Sequence, residues 1–397
     1  MLAACLLTDE PVVLTHLPLI EDVRTMLALL EGLGVRVNLR GHRLELCAAG
    51  IRKRKLDPAL CGRVRSSVLF AGPMAARHGR VHLCPPGGDV IGRRPLDTHI
   101  EGLHQLGIEL ESRDDLRFVR RRFAGARILL DEASVTATEN VLMAAVLAPG
   151  QTTIFNAACE PHVQDLCHML TRMGARIEGI GTNYLVIDGV DRLSGVRHAI
   201  APDYVETASF MAAAALTGGT VTVTNGGLDQ FDIIGRPFRK LNIRWAVTDG
   251  QLVVPARQRL RVRNDFGAAI PRVEDGPWPA FPSDLMSVAI VMASQARGTM
   301  LFFEKMFESR MYFVDRLIEM GARIVQCDPH RVIVTGPAEL RGTHLSSPDI
   351  RAGMAMLLAA LCAKGESVID NAQSIDRGYE KIDQRLRRLG ADIVRVT

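Results

Sequence analysis

Apolar and polar residues alternate along this chain in a pattern that recurs six times. Each block reads as an apolar helix, a β-branched strand, an amphipathic helix ending in a Leu-Gly-Ala type turn, and two further strands. The closing turns fall at Gly34, Gly107, Gly174, Asn242, Gly321 and Gly390, with spacings of 73, 67, 68, 79 and 69 residues. That period is too long for a solenoid repeat and suits a compact βαβαββ unit used six times. Residues 140–147 (NVLMAAVL), 210–216 (FMAAAAL) and 354–362 (MAMLLAALC) are apolar on nearly every side, which predicts buried helices. Residues 314–320 and 382–389 carry apolar positions at helical spacing with charges opposite, which predicts amphipathic ones. Residues 220–224 and 331–335 are β-branched runs and predict strands. Five blocks begin with a polar lead-in, at 64–67, 136–139, 203–206, 282–284 and 348–351. The first block opens at Met1, already inside its helix, without one.

Three blocks precede residue 200 and three follow it, so the expected division is 1–200 and 201–397, with the boundary at 197–202. A length of 397 residues with 47% apolar and 23% charged residues supports more than one core in a soluble globular protein. The net charge of +4 is small; with no concentrated patch beyond the loop-like run 51–55 (IRKRK), it argues against nucleic acid as a partner. Eight cysteines show no Cys-x-x-Cys pair and no zinc-type spacing, so they read as reduced, mostly buried residues of a cytoplasmic protein. No apolar run approaches the roughly 18 residues of a membrane span, and the apolar opening lacks a basic n-region, so it is not a signal peptide. Helix N-termini from both domains, aimed at the cleft between them, would attract an anionic substrate.

The sharpest local signal is Pro85-Pro86-Gly87-Gly88-Asp89-Val90-Ile91-Gly92-Arg93-Arg94-Pro95-Leu96-Asp97-Thr98-His99. Proline and glycine at that density dictate a shaped loop. The segment resembles the active-site loop of the UDP-N-acetylglucosamine enolpyruvyl transferase (1-carboxyvinyltransferase) family, typically Gly-Gly-Cys-x-Ile-Gly-x-Arg-Pro-x-Asp-x-His. Further matches are Ser134-Val135-Thr136-Ala137-Thr138-Glu139-Asn140, Phe281-Pro282-Ser283-Asp284, Phe307-Glu308-Ser309-Arg310, Asp349-Ile350-Arg351 and Asp376-Arg377-Gly378-Tyr379-Glu380. The resemblance covers essentially the whole chain. It implies an α/β fold, a two-domain inside-out α/β barrel with three βαβαββ repeats per domain.

It also implies transfer of enolpyruvyl from phosphoenolpyruvate to the 3′-hydroxyl of UDP-N-acetylglucosamine, with release of phosphate and without metal or cofactor. The residue types suit that chemistry, because arginine grips phosphate and carboxylate in bidentate geometry. By resemblance, Arg65 and Arg94 face the phosphate, and Arg310, Arg351 and Arg377 clamp the carboxylate side. Asp284 contacts the sugar hydroxyl and accepts its proton. Asp349 stabilises cationic character at C2 of the enolpyruvyl group. Both aspartates also read as helix N-caps. Arg94, Pro95, Leu96, Asp97, His99, Ser134, Val135, Thr136, Asp284 and Met306 match the family's nucleotide-sugar positions. Oligomeric state stays unassigned.

Departures from the family pattern carry their own expectations. Asp89 stands where most members have a cysteine that acts as general acid, a substitution that goes with fosfomycin resistance in the family. Thr136 replaces a usual glycine, Tyr204 a common arginine, and Cys159 and His162 depart from an Arg-Glu-Pro-Glu run. These leave open an acceptor other than UDP-N-acetylglucosamine. Family members open with a strand pair and a Lys-Asn pair, roughly 20 residues that have no match before Met1. A start codon placed too far downstream is one account; a shortened protein that binds the UDP-sugar without turnover is the other.

Overall fold

The computed structural model describes residues 1–112 and 115–396, arranged as two units. The first comprises Met1–Gly88 and Arg94–Ala201; the second comprises Asp89–Arg93 and Pro202–Thr397.

In the first unit the innermost elements are the 3₁₀ turn Ala3–Leu7 and the helices Ala71–His78 and Val135–Ala145. Their apolar residues are almost all buried, as the absence of a polar face requires. Three sheets surround them. One runs Val196–Ala199, Val12–Thr15, Arg43–Cys47, Arg36–Arg40. Its outer pairing is parallel, Val12 opposite Val196. The others are Arg80–His82, Arg117–Arg120, Ile108–Ser112 and Arg127–Leu129, Gln151–Phe155, Tyr184–Asp188, Arg176–Glu178.

The second unit repeats the plan. Tyr204–Thr217, Met286–Gln295 and Ile350–Cys362 pack on one another. Around them lie Val221–Thr224 with Gln251–Val254 and Ala246–Thr248, then Arg272–Glu274 with Gly298–Phe303, Arg331–Gly336 and Arg323–Gln326, then His344–Ser346 with Val368–Asp370. Strand side chains alternate as a one-sided sheet demands: Met300 and Phe302 point inward opposite Val334 and Val332.

All six closing turns adopt a left-handed backbone: φ is 101° at Gly34, 80° at Gly107, 106° at Gly174, 62° at Asn242, 104° at Gly321 and 99° at Gly390. Glycine and asparagine are the residues that tolerate this conformation at a helix C-terminus, so the sequence period and the fold period have one cause. The central helices begin earlier than their apolar runs. Ser134, Asp203 and Asp349 cap them by accepting backbone N–H bonds, which draws the polar lead-ins into the first turn. After Gly390 the described residues form no strand, so the closing strand pair occurs in the first five blocks and not the sixth. No disulfide forms among the described residues; of the eight cysteines only Cys5, Cys61, Cys159 and Cys167 are buried, and Cys327 is exposed. No helix among the described residues is long and apolar enough to cross a membrane.

Candidate active site

In the second unit, three elements converge on Asp284. The turn Ser283–Leu285 presents its carboxylate. Arg310 donates from Nη2 to Oδ1 at 2.8 Å, and Arg351 donates from Nε and Nη2 to Oδ2 at 3.0 and 2.8 Å. Arg310 is 4% exposed, Arg351 16% and Asp284 39%. Burial opposes ionisation of Asp284, but Arg351 and then Arg310 outweigh it and hold the carboxyl well below the usual range. Neither arginine is satisfied: Nε of Arg310 and Nη1 of Arg351 are buried and make no hydrogen bond among the described residues. The Arg351 guanidinium also lies 5.6 Å from the Tyr379 ring centroid, and the Tyr379 hydroxyl is bonded to Ser209 at 2.9 Å.

Asp349 caps Ile350–Cys362, accepting from the Arg351 and Ala352 amides at 2.8 and 2.9 Å. Burial pushes its carboxyl up, and the charge of Asp89 adds to that; the Ala352 and Arg351 amides and Arg310 pull the other way. Asp89 is ion-paired with Arg377. The rest of its segment is pinned by backbone bonds: the Ser309 amide donates to the Ile91 carbonyl at 3.1 Å, and the Arg93 amide donates to Glu308 Oε2 at 3.2 Å. Gly92, at φ 128°, lies so close that a Cβ would sit 2.3 Å from Glu308 Oε2. The loop therefore tolerates only glycine there. Met306 is exposed on the turn before Arg310.

The first unit gathers a second set. Arg65 donates from Nη2 to the Arg94 and Pro95 carbonyls at 2.6 and 3.1 Å. Burial lowers its pKa to about 10, with the nearby Arg94 charge adding to the effect and Glu132 opposing it. Two cations held this close are an arrangement that an anion relieves. Gly88 backs onto this arginine, a Cβ there falling 2.9 Å from Arg65 Cβ. Pro95 and Asp97 are exposed, Asp97 opening the helix Asp97–Gln105. Ser134 caps Val135–Ala145, accepting from Ala137 at 3.4 Å, so Val135 and Thr136 form that helix's first turn.

Two candidates turn inward. Leu96 packs on the core. His99 is 2% exposed, its Nε2 3.1 Å from Thr136 Oγ1 and its Nδ1 3.1 Å from Asn140 Nδ2. Burial, aided by Arg65, lowers its pKa to about 3, so it is neutral at physiological pH. It braces Thr136.

A family model described as EPSP synthase (3-phosphoshikimate 1-carboxyvinyltransferase) matches residues 1–386. The chain belongs to that family. Within it, the chain is 52% identical over 397 residues to the UDP-N-acetylglucosamine 1-carboxyvinyltransferase of Bradyrhizobium diazoefficiens, covering 100% of this chain and 92% of that protein. It is 49% identical over 393 residues to the enzyme of the same name from Treponema denticola, covering 99% and 92%. The crystal structure of the enolpyruvyl transferase NikO from Streptomyces tendae superposes with a TM-score of 0.86 over 98% of this chain and 92% of that one, at 21% identity. The fold is the enolpyruvyl transferase fold.

Family resemblance names the charged residues but not what holds them. Asn140 was overlooked as a site residue. It donates to the Val68 carbonyl at 2.9 Å and accepts from the Gly72 amide at 2.6 Å, which fixes the amide's orientation and hence directs Nδ2 to His99. Its signal was available: it is the lone amide in the apolar run 140–147. Glu304 and Asp275, both buried behind Asp284, gave no comparable signal.

Proposed function

We propose that this protein transfers the enolpyruvyl group from phosphoenolpyruvate to the 3′-hydroxyl of UDP-N-acetylglucosamine and releases phosphate, an early step of peptidoglycan precursor synthesis in the cytoplasm. The observation that carries the reading is the pair of buried guanidinium N–H groups on Arg310 and Arg351, without a partner among the described residues, on either side of the Asp284 carboxylate. Buried donors are rarely left without acceptors, and a carboxylate of phosphoenolpyruvate would supply them. The identity to named UDP-N-acetylglucosamine 1-carboxyvinyltransferases supports the acceptor.

In the addition step the sugar oxygen bonds to C2 of phosphoenolpyruvate, its proton passes to Asp284, and C3 takes a proton from the Asp89 carboxyl. In the elimination step C3 returns a proton to the Asp89 carboxylate, the C2=C3 double bond re-forms, and the C2–O bond breaks with its electron pair leaving on phosphate. Held between two arginines, Asp284 is a weak base. Turning Arg310 and Arg351 toward the substrate's carboxylate would raise its basicity as the hydroxyl arrives. Asp89 is paired with Arg377, and an anionic substrate taking its place on that guanidinium would release it to act. Asp349 would stabilise positive charge at C2. Arg65 and Arg94, by family resemblance, would take the phosphate, which arginine binds in bidentate geometry. Ser134, Val135 and Thr136 at a helix N-terminus suit the diphosphate of the nucleotide. A carboxylate at Asp89 implies resistance to fosfomycin.

The test is phosphate release by the purified chain with phosphoenolpyruvate and either UDP-N-acetylglucosamine or other nucleotide acceptors. Release that depends on UDP-N-acetylglucosamine supports the reading. Release with a different nucleotide alone replaces the acceptor, and no release with any acceptor rejects the activity.

A further inference from the structure

Behind Asp284 lies a second pair of carboxyls that the proposed chemistry does not use. Glu304 follows the strand Gly298–Phe303 and is 0% exposed; Asp275, after Arg272–Glu274, is 2% exposed. Glu304 Oε1 accepts from the Ser283 hydroxyl at 2.9 Å and from the Met306 and Phe307 amides at 3.3 and 3.2 Å. Its main chain is locked as well, with N–H to the His330 carbonyl and C=O to His330 Nδ1, both 2.8 Å. Asp275 Oδ1 accepts from the Lys305 amide at 2.5 Å. Asp275 Oδ2 is buried with no N–H or hydroxyl partner among the described residues, and Asp275 acts on the Glu304 carboxyl by both hydrogen bonding and charge. Two carboxyls in such contact need a proton between them.

We propose that Asp275 and Glu304 share one proton and act as positioning residues, clamping the turn that carries Asp284 to the turn that delivers Arg310. The geometry is direct on both sides. Ser283, tied to Glu304, immediately precedes Asp284. Phe307, whose amide is tied to Glu304, accepts from the Arg310 amide at 3.4 Å, and the Arg310 guanidinium lies 5.2 Å from the Phe307 ring centroid. One protonated carboxyl thus fixes both ends of the Asp284–Arg310 bond.

The titration is consistent with this. Burial, then the hydrogen bond and charge of Asp275, push Glu304 up to about 9, against Arg310 and the Ser283 hydroxyl. The other titratable groups nearby are Asp284, His330 and Lys305, the last ion-paired with Glu274. Glu304's folded value lies above its unfolded one. The fold therefore favours its protonated form, and stability falls as pH rises from the ordinary carboxylate range to about 9.

The inference rests on the proposed roles of Asp284 and Arg310, so the experiment reads the clamp in two independent ways. Glu304→Gln and Asp275→Asn each replace the shared proton by an amide N–H, while Glu304→Ala removes the clamp. At neutral pH the two amide variants should keep kcat within about threefold of the parent, and Glu304→Ala should lose about ten- to a hundredfold with the UDP-sugar Kd unchanged. Parental kcat should decline as pH passes about 9, and both amide variants should lose that alkaline limb. Independently of substrate, chemical denaturation across pH 5–10 should show parental stability falling with pH and Glu304→Gln nearly flat. Equal loss in Glu304→Gln and Glu304→Ala, or an unchanged stability slope in Glu304→Gln, overturns the proposal. A parent without enolpyruvyl transfer rejects the functional reading alone, because the slope still decides whether the proton is shared.

Discussion

Arg351→Ala separates the two duties assigned to this side chain. The substitution removes two charge-assisted bonds to Asp284 and the stacking on Tyr379, while the single bond from Arg310 remains. A hydrogen bond to a charged group contributes about 1.5–3 kcal/mol. Asp284 is 39% exposed, so solvent screens the pair, and the two bonds together should sit near that range rather than at twice it. A loss of about 2 kcal/mol lowers the melting temperature by ~4–8 °C for a unit of this size. The sign with pH follows from Asp284. Its folded pKa is depressed, so its contribution is present above the ordinary carboxylate range and is lost as pH falls. Removing Arg351 should therefore cost most at neutral pH, and the deficit relative to the parent should shrink as pH falls through the carboxylate range. For function, loss of the free Nη1 should reduce kcat/KM for phosphoenolpyruvate by about ten- to a hundredfold and leave UDP-N-acetylglucosamine binding, by calorimetry, unchanged. The same change in an Asp284→Asn background decides which duty matters. If Nη1 holds the substrate carboxylate, phosphoenolpyruvate affinity falls in both backgrounds. No further fall in the Asn background would show that Arg351 acts only through Asp284 and would refute its place at the substrate.

Arg377→Ala should impair phosphoenolpyruvate use more than nucleotide binding, and it frees Asp89; steady-state kinetics beside calorimetry checks both, with parallel losses against the assignment. Asp89→Cys should make the enzyme susceptible to time-dependent inactivation by fosfomycin, located by mass spectrometry at residue 89, whereas the parent should resist, because the epoxide needs a thiolate. Asp89→Asn should abolish most turnover, since an amide cannot supply the proton; near-parental phosphate release would remove Asp89 from the chemistry. Asn140→Leu orphans the buried Gly72 amide and should cost at least ~1–3 kcal/mol in denaturant unfolding, with loss of the His99 brace weakening UDP-sugar binding.

What the sequence made legible had local causes. The six closing turns could be read because glycine or asparagine is required where a helix ends left-handed, and each such position lies within a few residues of the pattern it ends. The buried helices could be read because a run such as 140–147 has no polar face to leave in water. The ion pairs were a different matter. Asp284 meets Arg310 and Arg351 across 26 and 67 residues, and Asp89 meets Arg377 across 288. No periodicity spans such separations, and resemblance assigned all of these arginines to substrate without showing that the protein's own carboxylates engage them first. Glu304 was still less legible. A glutamate ending an apolar strand reads as the point where the chain reaches water, and only the fold shows that Asp275, Ser283 and two amides close around it.

The arginines divide by what already occupies them, and that division assigns different work to each. Arg377 is engaged by Asp89, so a substrate anion must compete with an internal carboxylate, and part of its binding energy goes into displacing Asp89. Arg310 and Arg351 share one carboxylate and keep one buried N–H each without an acceptor among the described residues. Their donors are oriented before any ligand arrives, and a new anion there gains hydrogen bonds without first breaking one. Among the described residues Arg65 makes no ion pair with a carboxylate, and burial and then the charge of Arg94 lower its pKa, so an anion there relieves repulsion. A carboxylate arriving beside Asp284 would gain two hydrogen bonds from donors that no carboxylate among the described residues has taken, and this is the strongest gain that any of these arginines offers.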